Sequence, residues 1–286
     1  MELLAVNIVG SWVYGSLLML VSLGLTLVFG LGRVVNFAVG VFYALGAYFM
    51  LTLLPYVGYW ACLLLAPPVV AVVGLALERG VIRPIRGRSE IYTLLATFAL
   101  AITFTGIIQT GWDPRPRIIE SPVGGAFDIL GGLFPKWRVY GAAIAMLTGL
   151  AVWLTLYKTT AGLRIRAASD NRVMASLLGL DTYGVLTATF TLSCGMAALA
   201  GVLAGPMLSV RATMGNDLLV DAFLAVIVGG LGSLRGAIAG AYLIAMLKSV
   251  PIGWLEAEWA SVLAFSLVVL IMLVRPAGLF GEGRIE

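Results

Sequence analysis

The sequence predicts an all-α, polytopic transmembrane helical bundle, and three observations carry that expectation. Of 286 residues, 61% are hydrophobic and only 11% are charged, whereas an ordinary soluble domain is about a quarter charged. The apolar residues form long continuous runs, which selects helices over the short alternating segments of a barrel. No connection is long enough for a separate soluble domain, so residues 1–286 form one transmembrane domain. At roughly 20 apolar residues per spanning helix, the chain holds about eight spans.

The elements follow in order. Residues 3–31 carry no charge, and the start Met1-Glu2-Leu3-Leu4 lacks the basic region of a cleavable signal, so this run stays as the first span. Residues 34–77 are again uncharged and too many for one helix. Pro55-Tyr56-Val57-Gly58-Tyr59-Trp60 divides them, combining turn formers with interfacial aromatics. A basic stretch with Arg79, Arg83, Arg86 and Arg88 precedes a span at about 91–110. Residues 111–138 are a longer polar connection with four prolines. A span at about 139–157 leads to a second basic loop with Lys158, Arg164, Arg166 and Arg172, and residues 184–204 span again. The last clear span is 259–273, before a tail bearing Arg275 and Arg284. Alternation puts both basic loops, Arg33 and the tail on one side, and the excess of positive charge makes that side cytosolic.

Residues 218–249 are the exception. They hold Asp221, Arg235, Lys248 and a glycine cluster that includes Gly230 and Gly232. Parity allows them zero or two crossings. Two readings stand: a glycine-broken, re-entrant hairpin that lines the pathway, or two short spans packed closely through glycine.

Several chemistries are excluded. There is no histidine, which removes His-based proton relays, metal sites and Ser-His or Cys-His catalysis. Cys62 and Cys194 each lie inside an apolar run and read as free buried thiols. No Gly-x-x-x-x-Gly-Lys-Ser/Thr loop occurs, so the chain does not itself hydrolyse ATP. Asp221 is the one clear intramembrane acid, which weakens a proton-coupled carrier. With no clustered acids or metal ligands in the spans, an intramembrane enzyme has nothing to work with.

The strongest local signal lies in the cytosolic loop 162–181. Ser169 or Asp170 can cap a helix start and Gly179 can end it in the left-handed conformation. Val173, Met174, Leu177 and Leu178 then share one face, with Arg172 elsewhere. The helix is too short to span, and its apolar face suits either lipid or a groove on a soluble partner. Among polar residues within spans, Thr26 and Asn36 are path candidates, Asn36 because it follows a glycine-broken turn. Asp221, Gly230 and Gly232 complete that set.

These residues resemble a known family. Gly24-Leu25-Thr26-Leu27-Val28-Phe29-Gly30 with Arg33-Val34-Val35-Asn36-Phe37-Ala38-Val39-Gly40 is similar to the first block of the permease subunits of branched-chain amino-acid ABC importers, on the LivH-like side of its two paralogous subunits. Glu78-Arg79 with Arg83-Pro84-Ile85-Arg86-Gly87, Asp113-Pro114-Arg115-Pro116, Ser176-Leu177-Leu178-Gly179-Leu180, Gly229-Gly230-Leu231-Gly232-Ser233 and Arg275-Pro276-Ala277-Gly278-Leu279-Phe280 follow in the family's order. The resemblance implies a single transmembrane permease domain in a bacterial or archaeal cytoplasmic (inner) membrane. It implies a second paralogous permease subunit, two cytosolic ATPase subunits and an extracytosolic substrate-binding protein. ATP and Mg2+ then belong to the ATPase subunits, and this chain binds no cofactor. It also implies that the helix at Asp170–Gly179 docks on the ATPase. At Val39 the family carries a histidine, and this departure leaves the cargo open between branched-chain amino acids, other amino acids, urea and short amides. The competing reading is a channel or passive facilitator for a small neutral solute such as urea, which needs no docking helix.

Overall fold

The computed structural model describes residues 2–32, 35–112, 115–129, 132–250 and 257–281. Arg33, Val34, Asp113, Pro114 and Arg284, which enter the reading above, lie outside them. Five helices among the described residues are long and apolar enough to cross a membrane, with the bent Val39–Ile85 counted once.

Helix α1 (Glu2–Gly32) is the axis of the bundle. Its middle is buried on all sides, from Leu17 through Leu27. Helix α2 (Val39–Leu77) breaks at Gly58, whose φ of 74° and ψ of 167° are far from helical, inside the expected dividing cluster. The two legs fold back on each other. Cys62 Sγ lies 3.9 Å from Met50 O, and a Cβ on Gly74 would sit 3.8 Å from the Phe42 ring. The second leg carries Pro67 and Pro68 and runs into a π-turn, Glu78–Ile82, and the short helix α3 (Arg83–Ile85). The wide turn comes just before Pro84, which has no N–H to donate.

Helices α4 (Glu90–Gly111) and α5 (Lys136–Lys158) flank this centre and expose large apolar side chains such as Ile102, Leu147 and Leu150. Between them the expected irregular connection contains a small antiparallel hairpin, β1 (Ala126–Ile129) and β2 (Gly132–Pro135), with Phe127 opposite Phe134. Among the described residues the fold is therefore helical with one short two-stranded addition. Arg117 and Val210 exchange backbone hydrogen bonds of 2.9 and 2.8 Å, tying this connection to the segment after helix α8 (Thr182–Ala204).

The glycine-rich region is a helical hairpin of α9 (Met214–Gly229) and α10 (Leu234–Ser249). It turns at Gly230 and Gly232, with φ of 107° and 87°, values that favour glycine. The Gly229 and Gly236 backbones touch, and Gly240 lies on Ala225 O. The hairpin runs beside α1, with Gly15 against Tyr242 and Gly30 near Gly232. After α11 (Ala257–Val274), the tail returns to this turn: Leu279 N donates to Val228 O at 2.8 Å and Phe280 N to Gly229 O at 2.9 Å.

Candidate coupling and translocation sites

The loop between α5 and α8 folds as two short helices, α6 (Thr160–Asp170) and α7 (Arg172–Leu177). The residue between them, Asn171, has extended backbone, and its Oδ1 accepts from Met174 N at 2.9 Å. Asn171 therefore caps the second helix, in place of the expected Ser169 or Asp170. Asp170 ends α6. Gly179 takes a φ of 83°, as anticipated, and the chain then enters α8, where Asp181 Oδ1 caps Gly184 N at 2.9 Å.

Helix α7 buries only Ala175. Val173, Met174, Leu177 and Leu178 are 70%, 54%, 76% and 82% exposed, a ridge of apolar side chains on six helical residues and the one that follows. Its base is held from the side. The Arg172 guanidinium lies 5.0 Å above the Tyr183 ring, and Arg86 Nη1 donates to Tyr183 O at 3.5 Å. Arg86 also pairs with the fully buried Glu78 of the π-turn. Burial pulls the Arg86 guanidinium below its usual pKa, and Glu78 opposes that. The two basic loops thus meet at Tyr183, a junction that the spacing of the sequence does not reveal.

The path candidates fall in four places. Thr26 and Gly232 share the wall of a cavity of about 990 Å³ with Asp170, Arg166 and Arg235. Thr26 is buried on α1 one turn from Ser22, and neither hydroxyl has a hydrogen-bond partner among the described residues. Ser193 Oγ is likewise unpartnered and faces α1 at Gly24, where a Cβ would come within 2.8 Å of it. Asn36 lies in the break between α1 and α2 and is 2% exposed. Its Oδ1 accepts from Ala38 N at 3.0 Å, while its Nδ2 has no partner among the described residues. Gly230 packs on the C-terminal tail, against Ala277 and Gly281.

Asp221 is 3% exposed and fully engaged. Lys248 Nζ reaches its two oxygens at 2.6 and 2.9 Å, and Tyr14 Oη donates at 2.5 Å. This triad joins α1, α9 and α10. Asp221 stands out in the sequence; its partner Lys248 becomes visible only once the hairpin at 230–233 brings the two helices side by side.

Comparison with known proteins places this architecture. Residues 7–273 match the family described as the permease component of the branched-chain amino acid transport system. The chain is 27% identical over 292 residues to the high-affinity branched-chain amino acid transport permease LivH of Salmonella typhimurium, covering 95% of this chain and 94% of that protein. It is 30% identical to a probable LivH of the archaeon Methanocaldococcus jannaschii, covering 95% and 91%. It is 28% identical to LivM of Salmonella typhimurium, covering 93% of this chain and 68% of LivM. The chain is a member of the branched-chain amino acid transport permease family.

Proposed function

We propose that this chain is the membrane-spanning permease subunit of an ATP-driven importer for branched-chain or other small amino acids. It forms the translocation path with a second, paralogous permease; the similarity of this chain to two permease proteins named for one transport system in Salmonella typhimurium, LivH and LivM, supports that arrangement. The observation that carries the reading is the α7 ridge. Four large apolar side chains on so short a helix and the residue that follows it cost free energy in water, and a groove on a cytosolic ATPase subunit is the cover that suits them. An extracytosolic binding protein delivers the cargo, and the ATPase subunits hold ATP and Mg2+.

The number of crossings extends the same reading. The first helix, both legs of α2, α4, α5, α8 and α11 each cross, and α9 and α10 add two short crossings. At 1.5 Å per residue these last two are about 24 Å long, enough for most of a roughly 30 Å core. The total is odd and leaves the tail and α7 on the cytosolic side. Movement of a docked α7 passes through Arg172 and Tyr183 to α8, and through Arg86 and Glu78 to α2. The unpartnered polar groups of Ser22, Thr26, Asn36 and Ser193 offer hydrogen bonds to a solute inside the bundle.

A pull-down of the tagged chain in mild detergent, with mass-spectrometric identification of what co-purifies, tests this directly. Two nucleotide-loop ATPases and a second permease are the expected result. Recovery of the chain alone as a homo-oligomer overturns it and favours a passive facilitator.

A further inference from the structure

A second cavity lies on the flank of the bundle, where the second leg of α2, α5 and α8 leave a groove of about 840 Å³. One end is apolar and set among Pro67, Ala71, Val152, Leu192 and Leu199. The other end reaches the first basic loop at Arg79 and Arg83. Pro67 and Arg83 are sixteen residues apart, so the groove runs about 24 Å along the helix, longer than one leaflet of a roughly 30 Å hydrocarbon core.

The charge at its mouth is net positive, two arginines against one carboxylate. Arg79 and Arg83 are exposed and make no ion pair among the described residues. The carboxylate in the lining, Asp181, accepts from Gly184 N and forms no salt bridge with either arginine among the described residues. Arginines at a helix end ordinarily reach for headgroups. Here a groove of acyl-chain length opens directly beneath them.

We propose that this groove binds an anionic phospholipid. Its phosphate sits between the Arg79 and Arg83 guanidinium groups, and one acyl chain lies in the apolar trough between Pro67 and Leu199. The inference rests on the membrane permease reading, and its test does not depend on transport or on ATP.

The full chain, alone and in its assembled complex, is incubated with equal phosphatidylglycerol and phosphatidylcholine of identical acyl chains. Retained lipid is then counted by native mass spectrometry. The wild type retains phosphatidylglycerol about ten-fold over phosphatidylcholine, as two surface cations allow. Arg79→Gln with Arg83→Gln removes that preference. Gly195→Leu plugs the trough and lowers retention of both lipids with both arginines in place. A Cβ there meets Ala71 Cβ at 3.5 Å and Pro67 O at 3.7 Å, which is ordinary contact. Equal retention of the two lipids by the wild type overturns the proposal, as does an unchanged preference in the double variant. A preference shown by the chain alone and lost on assembly also overturns it, and gives the groove to the second permease.

Discussion

The α2–α8 seam and helix α7 use their residues in opposite ways. At the seam, backbone lies on backbone: Gly46 sits on Ala198 and Gly201 on Tyr43, with no room for a side chain at either glycine. At α7, side chains project with almost nothing behind them but Ala175. Lipid offers apolar helices no reason to associate beyond close packing and hydrogen bonding, so the interior is specified by what its residues lack. The rim is specified by what its residues present. Stability and coupling should therefore be separable by mutation.

The largest loss of stability is expected at the seam. Gly201→Val drives a branched side chain into the Tyr43 carbonyl, and the chain should not be recovered as a monodisperse species by size exclusion. Asp221→Ala comes next. It strands Lys248 and should cost about 3 kcal/mol in detergent unfolding, the low end for a buried pair, because Lys248 keeps 24% of its side-chain surface. Adding Lys248→Met to it should recover most of that loss. If the single variant is as stable as wild type, the triad does not hold the hairpin to α1.

Smaller effects sharpen the contrast. Asn171→Ala removes the cap of α7 and should cost about 1 kcal/mol locally, read as faster amide exchange at Met174. Asn36→Ala removes the buried bond to Ala38 N and should cost about 1 kcal/mol in unfolding, and it should also alter cargo affinity or transport rate. If both stay at wild-type values, Asn36 is not on the path. Leu177→Asp should have the least effect on unfolding of all, since the side chain is mostly exposed, while abolishing co-purification of the ATPase. Retained co-purification would make the ridge a lipid contact.

The sequence makes the helices legible because apolar runs need no partner to be recognised. The break at Gly58 is legible because turn formers and aromatics coincide there. The ends of α7 are half legible: Gly179 is found by its residue type, but Ser169, Asp170 and Asn171 are all plausible caps, and local backbone selects Asn171. What connects distant segments is not legible. Arg86 on Tyr183 O, Arg172 on the Tyr183 ring and Lys248 on Asp221 are pairings that helix packing creates. The hairpin β1–β2 carries no strong alternation and reads as loop. Thr26 and Gly232 could be named from sequence as separate candidates, but the hairpin's approach to α1 is what places them on one wall.

The central position of α1 also bears on how the protein is made. Its serines at 11, 16 and 22 and Thr26 are all buried in the finished bundle. Their cover comes from late in the chain: Ser193 lies opposite Gly24, Tyr242 stands over Gly15, and Ser16 Oγ lies 3.0 Å from Tyr242 Oη. A ribosome adding 5–20 residues per second reaches Tyr242 about 10–45 s after Gly15. Throughout that interval α1 waits in the bilayer without its cover from α10. Quality-control proteases and insertion chaperones have their longest opportunity there, so a variant that slows α10 should be seen first as lost yield, before any loss of transport.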